Sequence, residues 1–291
     1  MDSTPHGAAP HGAAVTAEGF GVEGPRGWAF RDVDISAEPG ALIAVEGPSG
    51  SGRTSLLLAL TGRMRPTAGH AEVAGLRLPG SARGRGKMAA VRRISALGPA
   101  PGITDVDPAL TVAEHLRERA LLQRRFDGSL RTLLRPRHER AADARRRIDS
   151  ALEAAGLDLP SLPKGQRTAV RDLDRLEVLR LSVALALICR PRLLAVDDTD
   201  LKLSDAEREQ AWTMLRSLAE DGTTVLAVCS EAPADTLVVS TAPRKEQEPH
   251  RDSGNPGEAP AGDAADDKHE NDEKDEKEEG AADALAETGR A

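Results

Sequence analysis

Residues 41–62, ALIAVEGPSGSGRTSLLLALTG, constrain this chain more than any other stretch. A short apolar run, too brief for a helix, leads into a glycine-rich segment, and a leucine-rich helical pattern follows. The predicted arrangement is strand, loop and helix, with the strand near 41–46 and the helix near 53–61. Gly47 and Gly52 bracket four residues, Pro48, Ser49, Gly50 and Ser51, and Arg53, Thr54 and Ser55 open the helix. Glycines let successive backbone N–H groups converge on phosphate oxygens, and the helix start aims its positive end at them. The Thr54 hydroxyl stands where such a loop ligates Mg²⁺. The plain alternative is a turn that holds no ligand.

The second half supplies a matching carboxylate. Helix 173–188 is followed by the strand RLLAVDD (192–198), helix 204–222, the strand TTVLAVCS (223–230) and a last strand, DTLVVS (235–240). Ser204 and Glu207 have the spacing of a capping box at the start of their helix. Strands alternating with helices predict a mainly parallel sheet flanked by helices. Asp197 ends an apolar strand, where its carboxylate can hold a metal's water shell, and Asp198 follows at a place suited to polarising an attacking water.

The termini read differently. PHGAAPHGAA (5–14) has no apolar periodicity, so residues 1–14 are expected to form a disordered leader rather than a metal site built on His6 and His11. From Arg244 to Ala291 there are 16 acidic and 7 basic residues, leaving 31 of the 47 acidic and 32 of the 39 basic residues for the rest. The net charge of −8 therefore belongs to the tail, expected to be disordered and either a solvated spacer or a regulatory arm.

Residues 111–156 show helical spacing with many arginines between the apolar positions. Only Phe126 is available there for stacking, so the arginines read as a solvated face and nucleic acid is not an expected partner. Cys189 and Cys229 lie in apolar runs and read as buried thiols of a reducing compartment. No secretory signal is visible, and the longest apolar runs, such as LSVALALIC (181–189), are about half of a membrane span.

Several landmarks agree in order and spacing: GPSGSGRTS (47–55), RPTAGHAEVAG (65–75), LTVAEHL (110–116) and ALALICRPRLLAVDD (184–198). Together they resemble the nucleotide-binding domain of ATP-binding cassette (ABC) transporters over about residues 15–243. The resemblance implies an α/β P-loop NTPase fold, with an antiparallel β portion near the N-terminus and an inserted helical subdomain at about 100–185. It implies ATP and Mg²⁺ as cofactors, with residues 47–55 around the phosphates, Thr54 and Asp197 on the metal and Asp198 as the catalytic carboxylate. Phe20 falls where the family stacks adenine, although a packing role suits it equally, and Trp28 reads as core. An integral membrane transporter subunit is the implied partner, together with a second cassette, identical or different, at the inner face of the cell membrane.

The departures from that pattern are specific. Arg53 stands in place of the loop lysine, and Pro99 is nearest to the coupling glutamine. LDRLE (173–177) stands in place of the signature LSGGQ. Asp198 replaces glutamate, Thr199 the following proline, Ser204 the D-loop aspartate and Ser230 the switch histidine. A guanidinium fork is not interchangeable with a compact ammonium, and Ser230 carries no imidazole. Asp174 and Glu177 would bring carboxylates toward a partner's γ-phosphate. Three expectations follow: a transporter ATP-binding subunit with slow hydrolysis, a non-hydrolysing regulatory or structural cassette, or a soluble P-loop ATPase of translation or repair.

Overall fold

The computed structural model describes residues 11–79, 85–126, 136–199 and 202–242. Two sheets carry the fold. The first is antiparallel, ordered β2–β1–β4–β5, and is built from β1 (Val15–Gly24), β2 (Gly27–Ala37), β4 (Ala68–Val73) and β5 (Leu76–Leu78). The second is parallel, ordered β6–β7–β8–β3–β9, from β3 (Leu42–Glu46), β6 (Ser95–Leu97), β7 (Leu193–Val196), β8 (Thr224–Val228) and β9 (Leu237–Ser240). The predicted antiparallel portion and the parallel sheet are both present.

Side-chain alternation along the parallel strands feeds two cores. Ile43 and Val45, Leu193 and Ala195, and Leu226 and Val228 face one side, toward the antiparallel sheet. Ala44, Leu194, Val196, Val225 and Ala227 face the other. Helix α1 (Arg53–Leu60) fills the first side with Leu56, Leu57 and Leu60, each completely buried. Burying one leucine contributes roughly 1.5–3 kcal/mol, so these three residues alone anchor the loop that precedes them. α2 (Arg85–Ile94) adds Met88 and Val91 to the same core.

The opposite core gathers α5 (Arg175–Leu187), α6 (Asp205–Glu220) and the inserted helices α3 (Val112–Phe126) and α4 (Arg137–Ala154). Among its described residues the 111–156 stretch holds two helices, α3 and α4, and Pro136 stands at the N-cap of α4. β4 and β5 form a hairpin, with Val73 paired to Leu76 across Ala74 and Gly75. Both turn residues have positive φ, 52° and 77°.

Part of the expected leader is built into the fold. The Ala13 N–H is shared between the Arg192 carbonyl at 3.1 Å and the Thr224 hydroxyl at 3.0 Å. Arg192 in turn donates to the carbonyls of His11 and Gly12. The remaining leader residues, 1–10, and the acidic tail from 244 lie outside the described residues. Among the described residues, no helix is long and apolar enough to cross a membrane.

Candidate functional site

The glycine-rich loop leaves the C-terminal end of β3, the end of a parallel strand at which open α/β sheets hold their ligands. Pro48, Ser49 and Gly50 form its exposed crest, while Ser51 through Ser55 are half-buried. The Ser51 N–H donates to the Pro48 carbonyl at 3.1 Å, and the Leu56 N–H to the Gly52 carbonyl at 2.9 Å. Gly52 caps α1 with φ 86°, without any side-chain cap, and no acidic residue follows in the first turn. The first N–H groups of a helix have no intrahelical acceptor, so this end is open to an anion.

Only glycine fits at position 52. A Cβ there would lie 1.9 Å from the carbonyl oxygen of Ala29, so the β2 backbone abuts the loop directly.

Three side chains of the loop are tied to the ends of three other strands. The Ser51 hydroxyl meets that of Thr241, just past β9, at 2.6 Å. An Arg53 Nη donates to the carbonyl of Cys229, just past β8, at 2.7 Å. The Thr54 hydroxyl donates to an Asp197 carboxylate oxygen, just past β7, at 2.7 Å. Thr54 and Asp197, 143 residues apart in sequence, are thus brought together as the spacing predicts.

Asp197 is 2% exposed, and its second carboxylate oxygen accepts the Asp198 N–H at 3.1 Å. Burial pushes its carboxyl above the ordinary aspartate range; the Thr54 hydroxyl opposes this, and the charge of Asp198 adds to it. A buried carboxylate held in this way beside a hydroxyl is a donor pair suited to a hard divalent cation. Among the described residues, no group of three or more His, Cys, Asp or Glu could hold a metal. An ion here would complete its shell with water and phosphate oxygens, as Mg²⁺ commonly does.

Asp198 has φ 50°, a left-handed backbone conformation uncommon outside glycine. Thr199 is buried and bonds the Val228 carbonyl through both its N–H and its hydroxyl. Pro99 contributes its carbonyl, which accepts the Asp197 N–H at 2.9 Å. Ser230 follows the Cys229 carbonyl that Arg53 holds, and Ser204 caps α6 in the predicted box with Glu207.

Phe20 is not a base-stacking residue. It is completely buried, with its ring 5.6 Å from that of Phe30. The cause is a bulge: the β1–β2 register shifts between Ala17 and Phe20, and Gly19 sits at φ 53°. The extra residue breaks the alternation started by Val15 and Ala17 and turns Phe20 inward. Trp28, expected in the core, is 45% exposed. It covers Gly21, whose added Cβ would lie 3.0 Å from the indole, and it immediately precedes Ala29, which touches Gly52.

Residues 174–177 serve their own helix. The Asp174 carboxylate accepts the Glu177 N–H at 2.7 Å, and the Glu177 carboxylate accepts the Asp174 N–H at 2.8 Å. This is a full capping box at the start of α5. The D-x-x-E spacing was visible in the sequence, as S-x-x-E was at 204–207.

Comparison with known proteins gives a consistent picture. The sequence model for the family described as ABC transporter matches residues 30–200. The Nod factor export ATP-binding protein I of Cupriavidus pinatubonensis is 31% identical over 195 residues, covering 67% of this chain and 52% of that protein. A zinc import ATP-binding protein of Hahella chejuensis is 27% identical over 203 residues, covering 69% and 66%. The chain thus spans about half the length of the first relative. Among solved structures, a dimeric ATP-binding cassette in a post-hydrolysis state with ADP and Pi superposes with TM-score 0.56 at 21% identity, covering 75% of this chain and 88% of that one. The cbiO1 protein of Clostridium perfringens, part of an ABC transporter complex, superposes with TM-score 0.58 at 17% identity, covering 76% and 79%. At these identities the structural likeness speaks for the fold.

Proposed function

The chain belongs to the ABC transporter family, and from that premise we propose that it is an ATP-binding subunit that holds Mg-ATP on loop 47–54 and hydrolyses it slowly. The observation that carries this reading is the Thr54–Asp197 pair beneath the uncapped start of α1. The loop amides and the α1 N-terminus take the phosphates. Thr54 and Asp197 would hold the magnesium, which would supply neutralisation of charge on the phosphate oxygens when bound. Arg53 supplies a positive charge at the loop's edge.

Trp28 takes the base-stacking part that Phe20 cannot. Trp28, whose indole is exposed and packs over Gly21, precedes Ala29, the residue by which β2 meets the loop. An aromatic face of this kind stacks any purine.

Slow turnover follows from the carboxylates. Asp198 is one methylene shorter than glutamate, and its backbone is held in the left-handed region, so its reach to an attacking water is reduced. The α5 start is filled by its own acids. In a cassette dimer that end would present carboxylates rather than open N–H groups to the partner's phosphate. The same observation favours a second reading, a cassette that binds nucleotide without hydrolysing it. In both readings the chain sits at the inner face of a membrane through a membrane-spanning subunit.

The test is affinity capture from membranes, followed by ATP turnover of the captured complex and of its Asp198→Ala variant. Turnover that depends on Asp198 supports the slow ATPase. Nucleotide binding with no turnover in the complex assigns the non-hydrolysing cassette. Recovery of ribosomes or DNA in place of a membrane-spanning protein would overturn both.

A further inference from the structure

Of the three tethers that hold the glycine-rich loop, two join hydroxyls to oxygen partners. The third is a guanidinium. Arg53 gives one Nη to the Cys229 carbonyl at 2.7 Å. Cys229 lies just past β8, where its own N–H still donates to the Val45 carbonyl at 3.0 Å. The chain then leaves the sheet and returns only at β9, so Cys229 is the root of the connection 230–236.

That connection has a second fixed point. Asp235 pairs with Arg216 of α6 at 2.7 Å. Near the same end, Thr236 donates through both its N–H and its hydroxyl to the Pro233 carbonyl. The segment is therefore held at its start by a residue of the phosphate loop and at its end by a helix on the other face of the sheet.

A guanidinium has five N–H donors arranged in a rigid fork, whereas an ammonium is a single point of charge. With one Nη on a carbonyl, the fork still has an edge for an anionic oxygen. We propose that Arg53 is a positioning residue that bridges phosphate and protein. It keeps the Cys229 carbonyl while taking a phosphate oxygen, so that nucleotide occupancy orders the 230–236 connection. This rests on the nucleotide reading above. A lysine's three donors share one nitrogen, so it keeps the charge but not the span of the fork, which separates affinity from ordering.

The experiment uses the full chain, with Mg-ATP titration and backbone hydrogen exchange over 229–236, for wild type, Arg53→Lys and Arg53→Gln. Thermal melts check that both variants fold. In wild type, saturating Mg-ATP slows exchange in this segment several-fold. Arg53→Lys keeps affinity within about tenfold of wild type, because its charge remains, and loses most of the nucleotide-dependent slowing. Arg53→Gln can still donate to the Cys229 carbonyl but weakens binding by about tenfold or more, the scale of one charge-assisted bond. The proposal is overturned if wild type binds nucleotide and exchange over 229–236 is unchanged, or if Arg53→Lys keeps the full slowing. Absence of saturable binding in wild type overturns the nucleotide reading along with it, which separates the two failures.

Discussion

The helices α1 and α5 start in opposite ways. α1 begins on Gly52 with no side-chain cap and no acid in its first turn. α5 begins on Asp174 in a capping box closed by two carboxylates. The first end leaves its N–H groups and the positive pole of the helix for an external anion. The second spends its two acids on the N–H groups of Asp174 and Glu177 and places negative charge at its pole. On the proposed reading, the difference assigns nucleotide holding to one helix end and the limit on turnover to the other.

The comparison breaks most completely at Gly52. Gly52→Ala places a methyl against the Ala29 carbonyl, in a backbone conformation that alanine resists. Strain and overpacking of this kind cost roughly 1–3 kcal/mol each. We expect a clear loss of stability in denaturant melts and loss of Mg-ATP binding; a variant that melts and binds like wild type would show that the loop does not lie against β2.

Opening α5 sharpens the contrast. Arg53→Lys together with Asp198→Glu is expected to raise ATP turnover little, because the acids at α5 remain. Adding Asp174→Ser and Glu177→Gly should give the larger step. If the first pair alone restores turnover, the α5 carboxylates are not the limiting feature.

A smaller effect concerns stability alone. Asp174→Ala should destabilise by about 1 kcal/mol, and Ser204→Ala at the matching box of α6 by a similar amount. Asp174→Ser should be close to neutral. Equal melting of all three variants with wild type would mean that the boxes contribute nothing measurable.

The smallest expected effect is at the edge of the 230–236 connection. Arg216 holds the Asp235 carboxyl below its ordinary range. A carboxyl whose folded pKa is lowered stabilises above its unfolded pKa of about 3.8, and that contribution is lost as pH falls through the lower folded value. Asp235→Asn should therefore be slightly less stable than wild type near neutrality, with the two melting curves converging in strong acid. Curves that stay parallel down to the acid limit would remove this pair from the account.

The sequence made the sheet and the loop legible because their signals are local. Short apolar runs ending in Gly47 or in Asp197 define strands whose ends meet at the Thr54–Asp197 pair. The insertion between β6 and β7 was visible from its helical spacing, and Pro136 marks the start of α4. What escaped depended on backbone conformations that residue types do not announce. The bulge at Gly19 turned Phe20 into the core, since one inserted residue moves a side chain to the opposite face. The β4–β5 turn places Ala74 at positive φ, where Asn or Gly would have signalled a hairpin. At α5, Asp174 and Glu177 were legible as misplaced charge, but their D-x-x-E spacing also encoded a cap.

Calorimetric titration of the full chain with Mg-ATP tests the central contrast most directly. The account predicts saturable binding of one nucleotide per chain that requires magnesium, is abolished by Gly52→Ala and is unchanged by Asp174→Ser with Glu177→Gly. No saturation at millimolar Mg-ATP, or binding that depends on Asp174 and Glu177 rather than on Gly52, would contradict it.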